Sequence, residues 1–211
     1  MCIRDRVNTV KLIKKNYFFF LSVLLSQLNA YVDNAFISSL EEGFISKYNI
    51  IIKVPELAQS ILISGISVVF FNKIVEDLGQ IKPIFLKVLK LLIVAFIPTF
   101  FLVKSYGYQF LNLIYGQNSL MSLGEFQIVN ILLIISTNVV FMVLISLLIK
   151  ASVAKEFSKY LFASSIVYVS INFIGNYFLI DSYQLLGVAS ATLIANLVFF
   201  ASLAIKIFAK I

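Results

Sequence analysis

The chain has 211 residues, of which 61% are hydrophobic and only 13% charged, with a mean hydropathy of +1.00. Soluble globular chains sit near roughly 45–50% apolar and about 25% charged, so a water-soluble domain is excluded and a polytopic membrane protein remains. The formal charge is +7, His is absent, and Cys2 is the single cysteine, which excludes a Ser–His or Cys–His nucleophile, a His/Cys zinc site and an intrachain disulfide.

The first six residues, MCIRDR, stand apart. They hold both arginines, Arg4 and Arg6, and the cysteine, whereas the other fifteen basic residues are lysines. The string resembles one reading frame of a transposase sequencing adapter. Residues 1–6 are therefore set aside as an artefact, and 7–211 are taken as one six-helix transmembrane lobe.

Six apolar stretches then follow, each long enough to cross a hydrocarbon core of about 30 Å, which takes roughly 20 helical residues. They fall at 17–40, 45–71, 85–103, 126–149, 161–180 and 188–208, and polar breaks separate them. Their apolar pattern is helical rather than alternating, so the fold class is all-α and not a barrel. The first stretch is too long for a cleaved signal peptide. The connection 104–125 is moderately apolar, with glycines at 107, 116 and 124, and reads as a short interfacial helix and a turn. With six spans both ends share one side. That side carries twelve lysines, in the segments around 11–15, 73–90, 150–159 and 206–210, against two, Lys47 and Lys104, on the other. The positive-inside bias places both ends in the cytoplasm.

Polar groups inside spans are costly and mark interior faces or water-filled cavities. In the first span Asn29 and Asp33 are four apart and share a face. In the second, Asn49, Lys53, Glu56, Ser60 and Ser64 form a stripe beside Pro55, which is expected to kink the helix. Two readings of Lys53 stand: an ion pair with Glu56, or a cation free to meet an anion such as a phosphate. Ser165, Tyr168, Asn172 and Asn176 make a stripe on the fifth span. Ser190, Thr192 and Asn196 lie among alanines on the sixth, where close packing explains Ser190 and Asn196 well. Asp33, Asn172, Asn176 and Thr192 together offer hard oxygen ligands of the kind that suit an alkali or alkaline-earth cation. No phosphate-cradling loop or nucleic-acid motif is found, and the lysines at the span ends need no nucleic acid to explain them.

These residues carry a resemblance. The stretch LSQLNAYVDNAFISSLEEGFISKYNIIIKVPEL, with Asn29, Val32-Asp33, Gly43, Ser46 and Lys53, resembles the start of the C-terminal lobe of the lipid II flippases of murein biosynthesis. These belong to the multidrug/oligosaccharidyl-lipid/polysaccharide exporter superfamily. LIYGQ, and INFIGNYFLIDSYQLLGVASATLIAN with Asn172, Asn176, Gly187 and Thr192, are similar to later parts of that lobe. The resemblance covers about 10–210, and the order of motifs over the spans carries most of it.

The resemblance implies one lobe of a two-lobe transporter of the bacterial inner membrane, with an N-terminal lobe of similar size missing from this sequence. Its substrate would be an undecaprenyl-pyrophosphate-linked sugar, carried from the inner to the outer leaflet by alternating access among membrane lipids. Lys53 stands where a basic residue holds the pyrophosphate, and Arg is common there; Asn49, Glu56 and Ser60 share its stripe. A sodium site would fall on Asp33, Asn172, Asn176, the Val188 carbonyl and Thr192. An acidic residue can occur where Asn176 stands, so this site is one charge less negative. Two alternatives remain within the superfamily. One is a polysaccharide repeat-unit flippase. The other is a cation or drug antiporter, which would want a cavity acid without Lys53. A membrane enzyme is disfavoured, because Asp33 and Glu56 lie on different helices with no repeated acidic motif.

Overall fold

The computed structural model describes residues 9–116 and 123–209. The adapter-like residues 1–6 lie outside them. Among the described residues the chain is all-helical: α1 Thr9–Ile37, α2 Phe44–Glu76, a 3-10 turn Leu78–Gln80, α3 Ile81–Tyr115, α4 Glu125–Ala154 and α5 Ser158–Phe208. Four of these helices are long and apolar enough to cross a membrane: α2, α3, α4 and α5. The chain is a multi-pass membrane protein. α1 falls short because Gln27, Asn29, Asp33 and Asn34 dilute its apolar run.

The connections follow local chemistry. Gly43 takes a φ of 88° and turns the chain from α1 into α2. Asp77 ends α2 in an extended conformation, and its Oδ1 accepts from the Gly79 amide at 2.8 Å. α2 runs unbroken through Pro55, which costs one backbone bond and does not divide the element.

Among the described residues five α-helical elements form, not six separate helices. The stretches expected at 161–180 and 188–208 belong to one element of 51 residues, interrupted only at Gln184, which takes φ 49° and ψ −129°. The polar break at 181–187 holds no loop because a single residue makes the bend. Contacts show that the two limbs of α5 fold back on each other. The Tyr160 hydroxyl donates to the Ser202 carbonyl at 3.0 Å, although 42 residues of straight helix span about 63 Å. The rings of Tyr168 and Phe199 stack at 5.2 Å. A side chain at 187 would meet the Leu179 carbonyl oxygen at 2.5 Å, so Gly187 is what lets the limbs close at the bend.

The expected interfacial helix in 104–125 is also corrected. α3 passes Lys104 without a break and continues to Tyr115, and residues 117–122 of that connection lie outside the described set. Gly107 does not end α3. It seats α3 on α4, where a Cβ would stand 3.1 Å from Leu132 Cδ1.

α4 is the central strut, packed on α2, α3 and α5, while α1 lies mainly against α5. Being apolar around its circumference, α4 suits a position enclosed on several sides. Two apolar clusters hold the ends of the bundle. One gathers Phe70, Ile74, Ile81, Phe85, Leu148 and Leu203 at the lysine-rich end. The other gathers Ile37, Phe44, Ile51, Leu111, Ile128 and Leu185 at the opposite end. The polar side chains collect between them.

Candidate functional site

Asp33 is the centre of the polar cluster. Its side chain is buried near the C-terminal end of α1. A lone carboxylate there would be costly, and three donors offset the cost. Asn172 and Asn176 both donate through Nδ2 to Asp33 Oδ1, at 2.9 and 2.7 Å. The Thr192 hydroxyl lies 3.0 Å from Asp33 Oδ2 and 3.1 Å from the Val188 carbonyl oxygen, so its one proton chooses between two acceptors. Asn176 Nδ2 also reaches Asn172 Oδ1 at 2.9 Å. The fold-back of α5 makes this possible: the asparagines stand on one limb and Val188 and Thr192 on the other.

Asp33, Asn172, Asn176, Val188 and Thr192, named from the sequence, therefore meet in space. Among the described residues no three His, Cys, Asp or Glu side chains gather as a metal cluster. The donor set instead offers one carboxylate with neutral oxygens, which fits a monovalent cation. One atom speaks directly for that fit: Asn176 Oδ1 is buried with no hydrogen-bond partner. Both amides present nitrogen to Asp33 as they stand, and rotating either by about 180° about χ2 would present oxygen in its place.

The same cluster opens on a cavity of about 300 Å³ between α1, α2, α4 and α5. Asn49 and Glu56 line it from α2, facing Asp33 and Thr192. Lys53 lies apart from it, in a shallower hollow toward the N-terminal end of α2 with Ser46 and Tyr115. The Lys53–Glu56 ion pair forms, at 3.7 Å, but both side chains are about half exposed or more, 64% and 49%. An exposed pair of this kind is worth roughly 0–1 kcal/mol, so it holds Lys53 only lightly. Ser60 is not brought into the site. Its hydroxyl donates back to the Leu57 carbonyl at 2.8 Å on an exposed face. The stripe on α2 is thus divided: Asn49 and Glu56 belong to the cavity, Lys53 to the separate hollow beside it, and Ser60 to neither.

Two cavity residues were missed by the sequence reading. Asn138 on α4 accepts through Oδ1 from Asn196 Nδ2 at 2.8 Å, and Tyr48 is buried against the cavity from α2. The signal for Asn138 was present in Ser136-Thr137-Asn138, a polar triplet within an otherwise apolar helix. Asn29 Oδ1 and Asn196 Oδ1 are also buried without partners, so the cavity wall carries further uncommitted acceptors.

A family model for the lipid II flippase MurJ matches residues 4–210. The chain belongs to the MurJ family. Two solved structures share its fold. One is a lipid II flippase MurJ in an inward closed conformation, 19% identical, with a TM-score of 0.75 over 98% of this chain and 45% of that one. The other is a MOP superfamily transporter from Pyrococcus furiosus Vc1 (DSM3638), 13% identical, with a TM-score of 0.76 over 94% of this chain and 44% of that one. That transporter is described as having a binding pocket of reverse polarity that suggests a different function. This chain spans less than half the length of either. No curated protein matches the sequence.

Proposed function

We propose that this MurJ-family chain forms one lobe of a two-lobe flippase of the bacterial inner membrane. The flippase carries lipid II, an undecaprenyl-pyrophosphate-linked sugar, from the inner to the outer leaflet by alternating access. The observation that carries the reading is the polar cavity lined by Asp33, Asn49, Glu56 and Thr192 inside an apolar helical bundle. Such a cavity suits a polar cargo, and it is costly in a purely structural subunit. The share of the solved MurJ and MOP chains that this lobe covers supports a second lobe completing the transporter. This reading makes the protein a transporter rather than an enzyme.

Within it, Lys53 holds the pyrophosphate from the outer side of the cavity. Lysine keeps the charge of the arginine common at that position but not its bidentate fork. Asn49 and Glu56 position the sugar-bearing head. Asp33, Asn172, Asn176, the Val188 carbonyl and Thr192 hold sodium, and the bound ion supplies a positive charge that neutralises Asp33. Neutralising Asp33 frees the amides of Asn172 and Asn176 from donating to it. Because the asparagines and Thr192 sit on opposite limbs of α5, their rearrangement alters how the limbs are tied to α1, which biases inward- against outward-facing states.

The test is growth rescue of a bacterium depleted of its own lipid II flippase by the two-lobe protein carrying this chain. Rescue that disappears with Lys53→Ala is expected. A membrane-inserted protein that fails to rescue would move the substrate to a polysaccharide repeat unit.

A further inference from the structure

A second space stands in line with the cavity at Asp33 along α4. A hollow of about 420 Å³ lies toward the lysine-rich end, walled by Phe19 of α1 and by Phe71 and Asn72 of α2, and floored by Lys150 of α4. The α4 residues facing the first cavity are Ile135, Asn138 and Met142, and those facing the hollow include Ser146, Lys150 and Val153. Steps of three and four residues place all of them on one face of one helix. On α1, Phe19 lies two turns before Ser26, again on one face. The two spaces stand in line along one face of α4 over about 27 Å, close to the roughly 30 Å thickness of a hydrocarbon core, and together they make up a trough along that face.

Lys150 differs from the other half-buried lysines at its end of the bundle. Lys155 donates to the Ile207 carbonyl at 3.3 Å, and Lys206 sits over the Tyr160 ring at 5.1 Å. Neither Lys150 nor Asn72 has a hydrogen-bond or ion-pair partner among the described residues. A partly dehydrated ammonium with three uncommitted N–H donors, set among apolar walls, matches a ligand that is anionic at one point and hydrocarbon elsewhere.

We propose that Lys150, with Asn72 lining the same hollow, binds the phosphate of a lipid-linked diphosphate at the lysine-rich end of the trough. The cargo meets Lys150 before it reaches the Asp33–Asn49 section, some five turns away from Lys53 as counted along α2. This rests on the flippase reading and adds a binding residue to it. An anionic phospholipid of the bilayer shares the phosphate chemistry, so the test separates the two sources.

The experiment is a titration of the chain in phosphatidylcholine nanodiscs with undecaprenyl diphosphate, read by native mass spectrometry. Lys150→Gln should weaken binding about tenfold, the loss of one charge-assisted hydrogen bond. Lys150→Arg should restore it, and Lys90→Gln, on an exposed lysine of α3, should leave it unchanged. Unchanged affinity in Lys150→Gln alongside a loss in Lys53→Gln would overturn this inference and leave the flippase reading standing. Unchanged affinity in both variants would overturn the two together. If phosphatidylglycerol nanodiscs abolish diphosphate binding in the unaltered protein but not in Lys150→Gln, the site is one for bulk anionic lipid and the proposal is overturned.

Discussion

Asp33 illustrates how a carboxylate is kept inside an apolar helical bundle. Three side-chain donors surround it, and an ion bound on its other side would complete the neutralisation. Sodium should therefore raise the thermal midpoint of the purified chain, measured by unfolding in detergent with sodium chloride against choline chloride. Asp33→Asn should abolish that difference, because an amide carries no charge for the ion to offset. Asn172→Ala leaves Asp33 Oδ1 with one donor fewer and should destabilise the chain by about 1–3 kcal/mol even without sodium. Much of this cluster was legible in the sequence, since polar residues in apolar spans stand out and four-residue spacing puts them on one face. Asn138 was marked only by the polar run Ser136-Thr137-Asn138, and nothing in α4 alone says that Asn196 will face it. Ser60 stands outside the cavity for a related reason: spacing places a serine on a stripe, but here its hydroxyl bonds to its own helix on an exposed face.

Helix boundaries were legible where a polar or left-handed residue interrupts the chain, as at Gly43 and Asp77. They were not legible where length and packing decide. α3 runs on beyond Lys104 because one lysine does not break a helix and Gly107 favours its contact with α4. The bend of α5 is the sharper case. Asp181 and Gly187 marked the region, yet the turning residue is Gln184, whose φ of 49° and ψ of −129° suit glycine. Holding a non-glycine residue there costs on the order of 1–3 kcal/mol. Gln184→Gly should accordingly raise the thermal midpoint, by about 2–4 °C for each kcal/mol relieved in a chain of this size. Gly187→Ala should lower it, because the added methyl meets the Leu179 carbonyl and pries the limbs apart. The loss should extend to the sodium response, since Thr192 and the asparagines depend on the limbs meeting. Thermal scans of both variants, with and without sodium, check the pair.

For the molecule as a whole, the uneven distribution of lysines predicts an orientation. The lysine-rich end, where α2 leads into α3 and α4 into α5, should face the cytoplasm, and the turn at Gly43 should face outward. In a Cys2→Ser background, Glu42→Cys should react with an impermeant maleimide on intact cells, and Glu76→Cys only after lysis. The general architecture was readable from hydropathy and the order of motifs. The trough between α1 and α2 was not, because it arises from which helices leave a gap, and only the assembled bundle shows that α4 floors it.

The central claim is that this cavity carries a lipid-linked anionic cargo under the control of Asp33. It is tested most directly by lipid II translocation in proteoliposomes containing the two-lobe protein. The account predicts translocation that depends on sodium, falls about tenfold or more with Lys53→Ala, a loss of roughly 1.4 kcal/mol or more of interaction, and loses its sodium dependence with Asp33→Asn. Translocation at the unaltered rate in both variants would contradict it.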